Sequence, residues 1–105
     1  MATQNDRYLA GSIGSATTGD TLQIRNVKQK GLPLYLFVHV SGTFSGTITL
    51  EIAPPGSTAF ASYITPVVGT AAFAQAVLIA ADCDVRMNVT AYTSGAFNYY
   101  LELPA

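Results

Sequence analysis

The sequence predicts an all-β fold: a single antiparallel β-sandwich or jelly-roll-like domain of seven to eight strands with a polar N-terminal arm. Short runs of β-branched and aromatic residues alternate with polar residues at a period of two. Clusters of Gly, Pro, Ser and Asn separate these runs at spacings of about ten residues, which is typical of sandwiches and jelly rolls. A chain of 105 residues has room for one domain.

Most of the predicted strands have one apolar and one polar face, as half-buried strands do. They are 21–25, 46–52, 85–92 and 97–103, with shorter strands at 8–10 and 60–64. The Ser- and Gly-rich connection at 41–46 resembles a hairpin turn. Residues 93–95 form a second tight turn, so the last two strands are expected to pair as an antiparallel hairpin.

The strand predicted at 34–40 differs from the others because both of its faces are apolar. One face carries Leu34, Leu36, Val38 and Val40, and the other carries Tyr35, Phe37 and His39. Such a strand is usually central in its sheet, or has its second face covered by a partner.

The segment 71–81 allows two interpretations. Its many alanines favour a helix by intrinsic propensity. Yet Phe73, Gln75, Val77 and Ile79 would share one face of a strand, with small alanines on most of the other face. We prefer the strand, because every neighbouring segment is a strand and a lone helix would need a surface to dock on.

The charge content of the chain is low. Five Lys and Arg and six Asp and Glu make up 10% of the residues, against roughly 25% in an average soluble domain. A monomeric domain needs surface charge to stay apart from its copies, so we expect a surface that packs against other subunits. A Thr- and Ser-rich extracellular β-domain with few charges is the alternative. The formal net charge of −1 offers no basic face for nucleic acid.

We expect the N-terminal region to be separate from the sandwich. Residues 1–19 form an arm and a first short strand, and residues 20–105 form the β-sandwich. The polar arm is either disordered or ordered by lying on a neighbouring subunit. Candidate partner-binding residues are those of the arm and of the basic turn at 26–31: Asn5, Asp6, Arg7, Tyr8, Lys28 and Lys30.

Residues able to carry catalysis or hold a metal occur without the partners they need. His39 and Cys83 are the only histidine and cysteine, and a tetrahedral zinc site takes four ligands. Asp82 and Asp84 could give a calcium ion two of the six to eight oxygens it takes. We expect these two carboxylates to accept backbone hydrogen bonds in a turn instead. The sequence therefore predicts no enzyme, no cofactor and no metal.

Segments that would direct the chain to a membrane or out of the cell are not expected either. Residues 1–20 lack a basic start followed by an apolar core. The longest weakly polar run, 67–81, is interrupted by Gly69, Thr70 and Gln75, whereas a spanning helix needs about 20 apolar residues. We expect synthesis in a cytoplasm and no membrane partner.

Two segments are similar to ones that recur in small β-sandwich virion proteins of tailed bacteriophages: VSGTFSGTITL at 40–50 and CDVRMNVTAYTSG at 83–95. The likeness extends loosely over residues 34–103 as a pattern of strands and turns. It implies a capsid decoration (cement) protein, located in the virion after synthesis in the host cytoplasm. Such a protein binds the major capsid protein or another virion protein, and often forms a dimer or trimer.

The alternative function is a tail-fibre or carbohydrate-binding module. In that case exposed tyrosines would stack on sugar rings, and the candidates are Tyr63, Tyr92 and Tyr100.

Overall fold

The computed structural model describes residues 3–4, 8–25, 27, 34–63, 67–69 and 72–103. This part of the chain is all-β, as predicted. Its ten strands are β1 (Thr3–Gln4), β2 (Tyr8–Ile13), β3 (Thr18–Ile24), β4 (Leu34–Ser41), β5 (Phe44–Ala53), β6 (Ala61–Ser62), β7 (Val67–Gly69), β8 (Phe73–Ile79), β9 (Cys83–Gly95) and β10 (Phe97–Glu102). Seven of them are six residues or longer, which matches the number of strands that the alternating pattern predicts.

The strands form two sheets that face each other. The six-stranded sheet has the order β1-β3-β9-β5-β6, with β7 also paired to β5, and the four-stranded sheet has the order β2-β10-β4-β8. All pairs are antiparallel except β1 with β3. Each long strand lies in the opposite sheet from the long strand before it, which gives the sandwich a jelly-roll-like strand order.

The hairpins expected at 41–46 and 93–95 are wrong, and residues 93–95 are not a turn but the last residues of β9. β4 and β5 lie in different sheets, and so do β9 and β10. The start of β5 pairs instead with the end of β9, with Phe44 opposite Gly95, and Ala96 N, just after β9, donates to Thr43 O at 2.9 Å. A Cβ on Gly95, whose φ is +84°, would stand 2.0 Å from that same carbonyl oxygen. Glycine here lets the chain turn from one sheet into the other.

The hydrophobic core lies between the two sheets. Alternate side chains of the long strands point inward and form one cluster, with Leu22, Leu36, Leu50 and Leu101 among its fully buried members. Full burial of one such side chain contributes roughly 1.5–3 kcal/mol to folding.

One aromatic contact joins the two sheets directly. The rings of Phe44 on β5 and Phe97 on β10 stack with their centroids 4.4 Å apart. Offset stacking of this kind adds roughly 0.5–1.5 kcal/mol beyond the burial itself.

The segment 71–81, for which the sequence allowed a helix or a strand, contains the predicted strand at Phe73–Ile79. Val77 and Ile79 are buried, and Ala74, Ala76 and Leu78 are exposed. The strand at 34–40 is also central, since β4 lies between β10 and β8. Its register with β8 runs without a break from Leu34↔Ile79 to Val40↔Phe73.

The N-terminal region is more closely integrated than the sequence suggests. β2 is a full strand of the four-stranded sheet, and Leu9 on it is buried. β3 begins at Thr18, so the expected division at 19/20 falls inside a strand. Thr3–Gln4 of the arm pairs in parallel with Thr21–Leu22 of this same chain.

Tyr99 closes the sandwich on the side where β2 and β3 meet. Its ring is buried, and its hydroxyl accepts a hydrogen bond from Asp20 N at 3.3 Å. Burial raises the pKa of this hydroxyl above its ordinary value, so it stays protonated over the neutral range. A Cβ on Gly11 or on Gly19 would stand 2.5 Å or 2.6 Å from the hydroxyl oxygen.

We expect Gly11→Ala to lower the free energy of unfolding by roughly 1–3 kcal/mol, because the added methyl group would force the Tyr99 ring to move. Urea unfolding followed by circular dichroism measures the change. Gly14→Ala is the matched control, because the nearest atom to its Cβ is Gly95 O at 3.8 Å. Equal stability of the two variants would contradict the close packing of Tyr99 on β2.

Candidate functional site

The outer face of the four-stranded sheet carries four of the six large apolar or aromatic side chains that are exposed in the described residues. The strands alternate, so burial of one row of side chains turns the next row outward. We call this surface the aromatic face. It consists of Tyr8 and Ala10 on β2, Tyr100 on β10, Tyr35, Phe37 and His39 on β4, and Ala74, Ala76 and Leu78 on β8.

Rings from three strands form a continuous cluster on the aromatic face. The Tyr100 ring lies between Tyr8, at a centroid distance of 6.2 Å, and Phe37, at 6.4 Å. His39 stacks on Phe37 at 6.0 Å. Aromatic pairs at these distances attract each other, so the cluster is an ordered surface rather than a set of independent side chains.

The aromatic face continues onto β8 through Tyr35, which is opposite Leu78 in the register. Tyr8 is 51%, Tyr35 52%, Phe37 39% and Leu78 42% exposed. At about 200 Å² for each large side chain, these four present on the order of 400 Å² to solvent. Apolar patches of this size are often functional on single chains.

The aromatic face is almost free of charge. Among the outward-facing described residues of its four strands, Glu102 is the one Asp, Glu, Lys or Arg. Desolvation, and then the Glu102 carboxylate beside it, raise the pKa of the Tyr100 hydroxyl. The tyrosine therefore remains a neutral hydrogen-bond donor at this position.

The other sheet carries charges that are paired with one another. Arg25 Nη1 lies 2.7 Å from Asp84 Oδ1, and Arg86 Nε lies 2.8 Å from Glu51 Oε1. The Arg86 guanidinium also stacks over the Phe60 ring at 3.9 Å. A groove of about 320 Å³ runs beside Phe60 and Arg86. Its charged groups already have partners within the chain, which favours a structural role for them.

The carboxylates of Asp82 and Asp84 accept backbone hydrogen bonds, as predicted, but Asp84 lies in β9 and not in a turn, and both donors are distant in sequence. Val27 N donates to Asp82 Oδ1 at 3.0 Å, and Gly56 N donates to Asp84 Oδ2 at 3.1 Å. Within the described ranges no three His, Cys, Asp or Glu side chains lie together in a group that could hold a metal ion.

The structure does not bring His39 and Cys83 together. His39 lies on the outer side of β4, whereas Cys83 is buried in the core from β9 of the other sheet. Burial first, and then the Asp84 charge, raise the pKa of the Cys83 thiol to about 11. A thiol with a raised pKa is a poor nucleophile at neutral pH.

The predicted partner-binding residues have different outcomes. Tyr8 lies on the aromatic face beside Tyr100. The others lie outside the described residues: Asn5, Asp6, Arg7, Lys28 and Lys30. Tyr35 and Phe37 were recognisable from the two-sided apolar pattern of 34–40. Alternation with Val77 and Ile79 places Leu78 on the other face of its strand, but only the register of β8 with β4 places it beside Tyr35.

The three tyrosines proposed as sugar-stacking residues do not form one platform. Tyr100 belongs to the aromatic face, but the Tyr63 hydroxyl donates to Leu78 O and the Tyr92 hydroxyl donates to Gly95 O. Tyr63 is thus joined to the backbone of β8 and Tyr92 to the end of its own strand β9.

Comparison of this chain with models of protein families, with curated proteins and with solved structures gave no match. Within the described residues, no helix is long and apolar enough to cross a membrane.

We expect the stability of the protein to fall between about pH 9 and pH 11 in a way that depends on Cys83. The folded-state pKa is raised from an ordinary value of 9.0 to about 11, so the contribution of the neutral thiol is complete below pH 9 and is lost as the pH rises through the folded pKa. Relative to Cys83→Ala, the wild type should lose roughly 2 kcal/mol more over this interval. Urea unfolding at a series of pH values measures the difference, and parallel stability curves would contradict it.

Proposed function

We propose that this protein is a non-enzymatic structural subunit of a phage particle, a capsid decoration or cement protein. It docks on the major capsid protein or another virion protein through the aromatic face. The aromatic face is the observation that supports docking. The similarity of 40–50 and 83–95 to virion β-sandwich proteins supports the phage assignment.

The composition of the aromatic face is that of an interface centre. Tyr and Phe are enriched and charged residues are depleted at the centres of protein interfaces. Tyr35 and Phe37 are carried on a central strand, so their backbone is already ordered before a partner arrives. Docking then costs less conformational entropy than it would on a loop.

The partner that fits this face has a flat, apolar surface with hydrogen-bond acceptors at its edge. These acceptors would accept hydrogen bonds from the hydroxyl groups of Tyr8 and Tyr35, two side chains that are about half exposed. A sheet packs on another sheet at a separation of about 10 Å, so a β-sheet of a capsid subunit is a suitable partner.

The distribution of charge orients the subunit on the particle. The ion pairs Arg25–Asp84 and Arg86–Glu51 belong to the six-stranded sheet, and the aromatic face belongs to the four-stranded sheet. The six-stranded sheet therefore faces solvent in the proposed assembly, and the four-stranded sheet faces the capsid.

A carbohydrate-binding module is the second candidate, favoured by one observation. The rings of Tyr8, Tyr100 and Phe37 lie side by side, and Glu102 beside them could accept hydrogen bonds from sugar hydroxyls. A sugar ring could stack on such a surface while its hydroxyls bind the carboxylate.

The docking proposal predicts that Tyr35→Glu weakens binding to particles assembled without this protein. A charge at the centre of an apolar interface should cost about 2 kcal/mol or more, roughly a 30-fold loss of affinity. Co-sedimentation of the purified chain with the particles measures it. Thr90→Glu, at an exposed position of β9, is the control and should bind normally.

Wild-type binding by Tyr35→Glu would defeat the docking role of the aromatic face. Failure of the wild type to bind particles, together with saturable binding to a polysaccharide that Tyr100→Ala abolishes, would favour the carbohydrate-binding module instead. Circular dichroism of each variant confirms that the fold is retained.

A further inference from the structure

The strand β8, at one border of the aromatic face, has an edge with no protecting charge. Its residues, Phe73–Ile79, include no charged residue and no proline. Its unbroken register with β4 contains no bulge. Edge strands of monomeric proteins commonly carry Lys, Pro or a bulge to prevent pairing with another chain, and β8 has none of these.

Within the described part of the chain, β8 has β4 as its only sheet neighbour. Tyr63 reaches it through the hydrogen bond from its hydroxyl to Leu78 O. A carbonyl oxygen has two lone pairs, so Leu78 O retains the capacity to accept a second hydrogen bond. The opposite border strand differs, because β2 lies directly beside β3 of the other sheet.

We propose that β8 pairs in antiparallel orientation with β8 of a second copy of this chain. The pairing joins two four-stranded sheets into one continuous eight-stranded sheet. A twofold axis at Ala76 places this residue opposite its own copy and places Ala74 opposite Leu78. Neither pair brings like charges together. The small alanine side chains at the contact allow the outer faces of the two sheets to form one continuous surface.

The length of β8 is sufficient for such a contact. Seven residues extend over about 23 Å at roughly 3.3 Å per residue. The new strand pair would satisfy backbone groups that face solvent in the single chain. An isologous contact of this kind closes after two copies and does not grow into a fibre.

The size of the aromatic face also favours a second copy, an argument that rests on the proposed function. One chain presents on the order of 400 Å², whereas a standard protein interface buries about 800 Å² on each partner. Two chains joined through β8 present about 800 Å² on one continuous surface. The pairing itself is inferred from β8 alone and does not depend on the proposed function.

Sedimentation equilibrium of the full chain tests the pairing. We expect the wild type to be a dimer, and we expect Ala76→Lys and Ala76→Glu each to weaken dimerisation at least tenfold, because like charges would meet at the twofold axis. An equimolar mixture of the two variants should recover the dimer. Ser12→Lys, exposed on the other edge strand β2, should dimerise as the wild type does.

A wild-type monomer at about 100 µM would overturn the self-pairing. A dimer unaffected by Ala76→Lys would overturn its location, and no recovery in the mixture would overturn the twofold axis at Ala76. A dimer that does not bind particles supports the pairing and defeats only the proposed function.

Discussion

Burial of the inner row of β4 is the interaction on which the rest of this structure depends. Leu36, Val38 and Val40 are fully buried between the two sheets. Because successive side chains of a strand point to opposite faces, their burial forces Tyr35 and Phe37 outward. No rotation or register shift of β4 could bury both rows within one chain, since a shift by one residue only exchanges them. The apolar second face is therefore a property of the strand itself, because the alternation of side chains along β4 places it there.

Among the described residues, two ion pairs stabilise the six-stranded sheet. The ion pair between Arg86 and Glu51 links β9 to β5, and Asp84 links Arg25 to the backbone of Gly56 in the turn after β5. These groups are partly buried and have hydrogen-bond partners within the chain, so their role is to hold strands and a turn together and not to bind a ligand. Their position leaves the four-stranded sheet nearly neutral. In the described part of the chain, charged side chains of the six-stranded sheet are therefore paired with one another, whereas the outer face of the four-stranded sheet is aromatic and carries Glu102 as its one carboxylate.

The crossing of the chain between sheets assembles the aromatic face from distant parts of the sequence. Tyr8, Phe37 and Tyr100 come from β2, β4 and β10, and they meet because β10 pairs with both β2 and β4. Had β9 and β10 formed a hairpin, as the turn at 93–95 suggested, Tyr100 would lie in the other sheet. The same strand order leaves the uncharged β8 at a border of this sheet. The docking face and the proposed pairing edge are thus consequences of one topology.

Local patterns in the sequence determined the all-β class, the strands β4, β5, β9 and β10 to within a few residues, and the strand rather than helix at 73–79. These features follow from alternation and turn residues, which act over a few positions. They also determined that 34–40 has two apolar faces. Only the tertiary structure decided which strands pair, that β2 belongs to the sandwich, and that Tyr100 lies between Tyr8 and Phe37. A turn glycine specifies that the chain reverses but not which sheet it enters, because that choice depends on how the whole core packs.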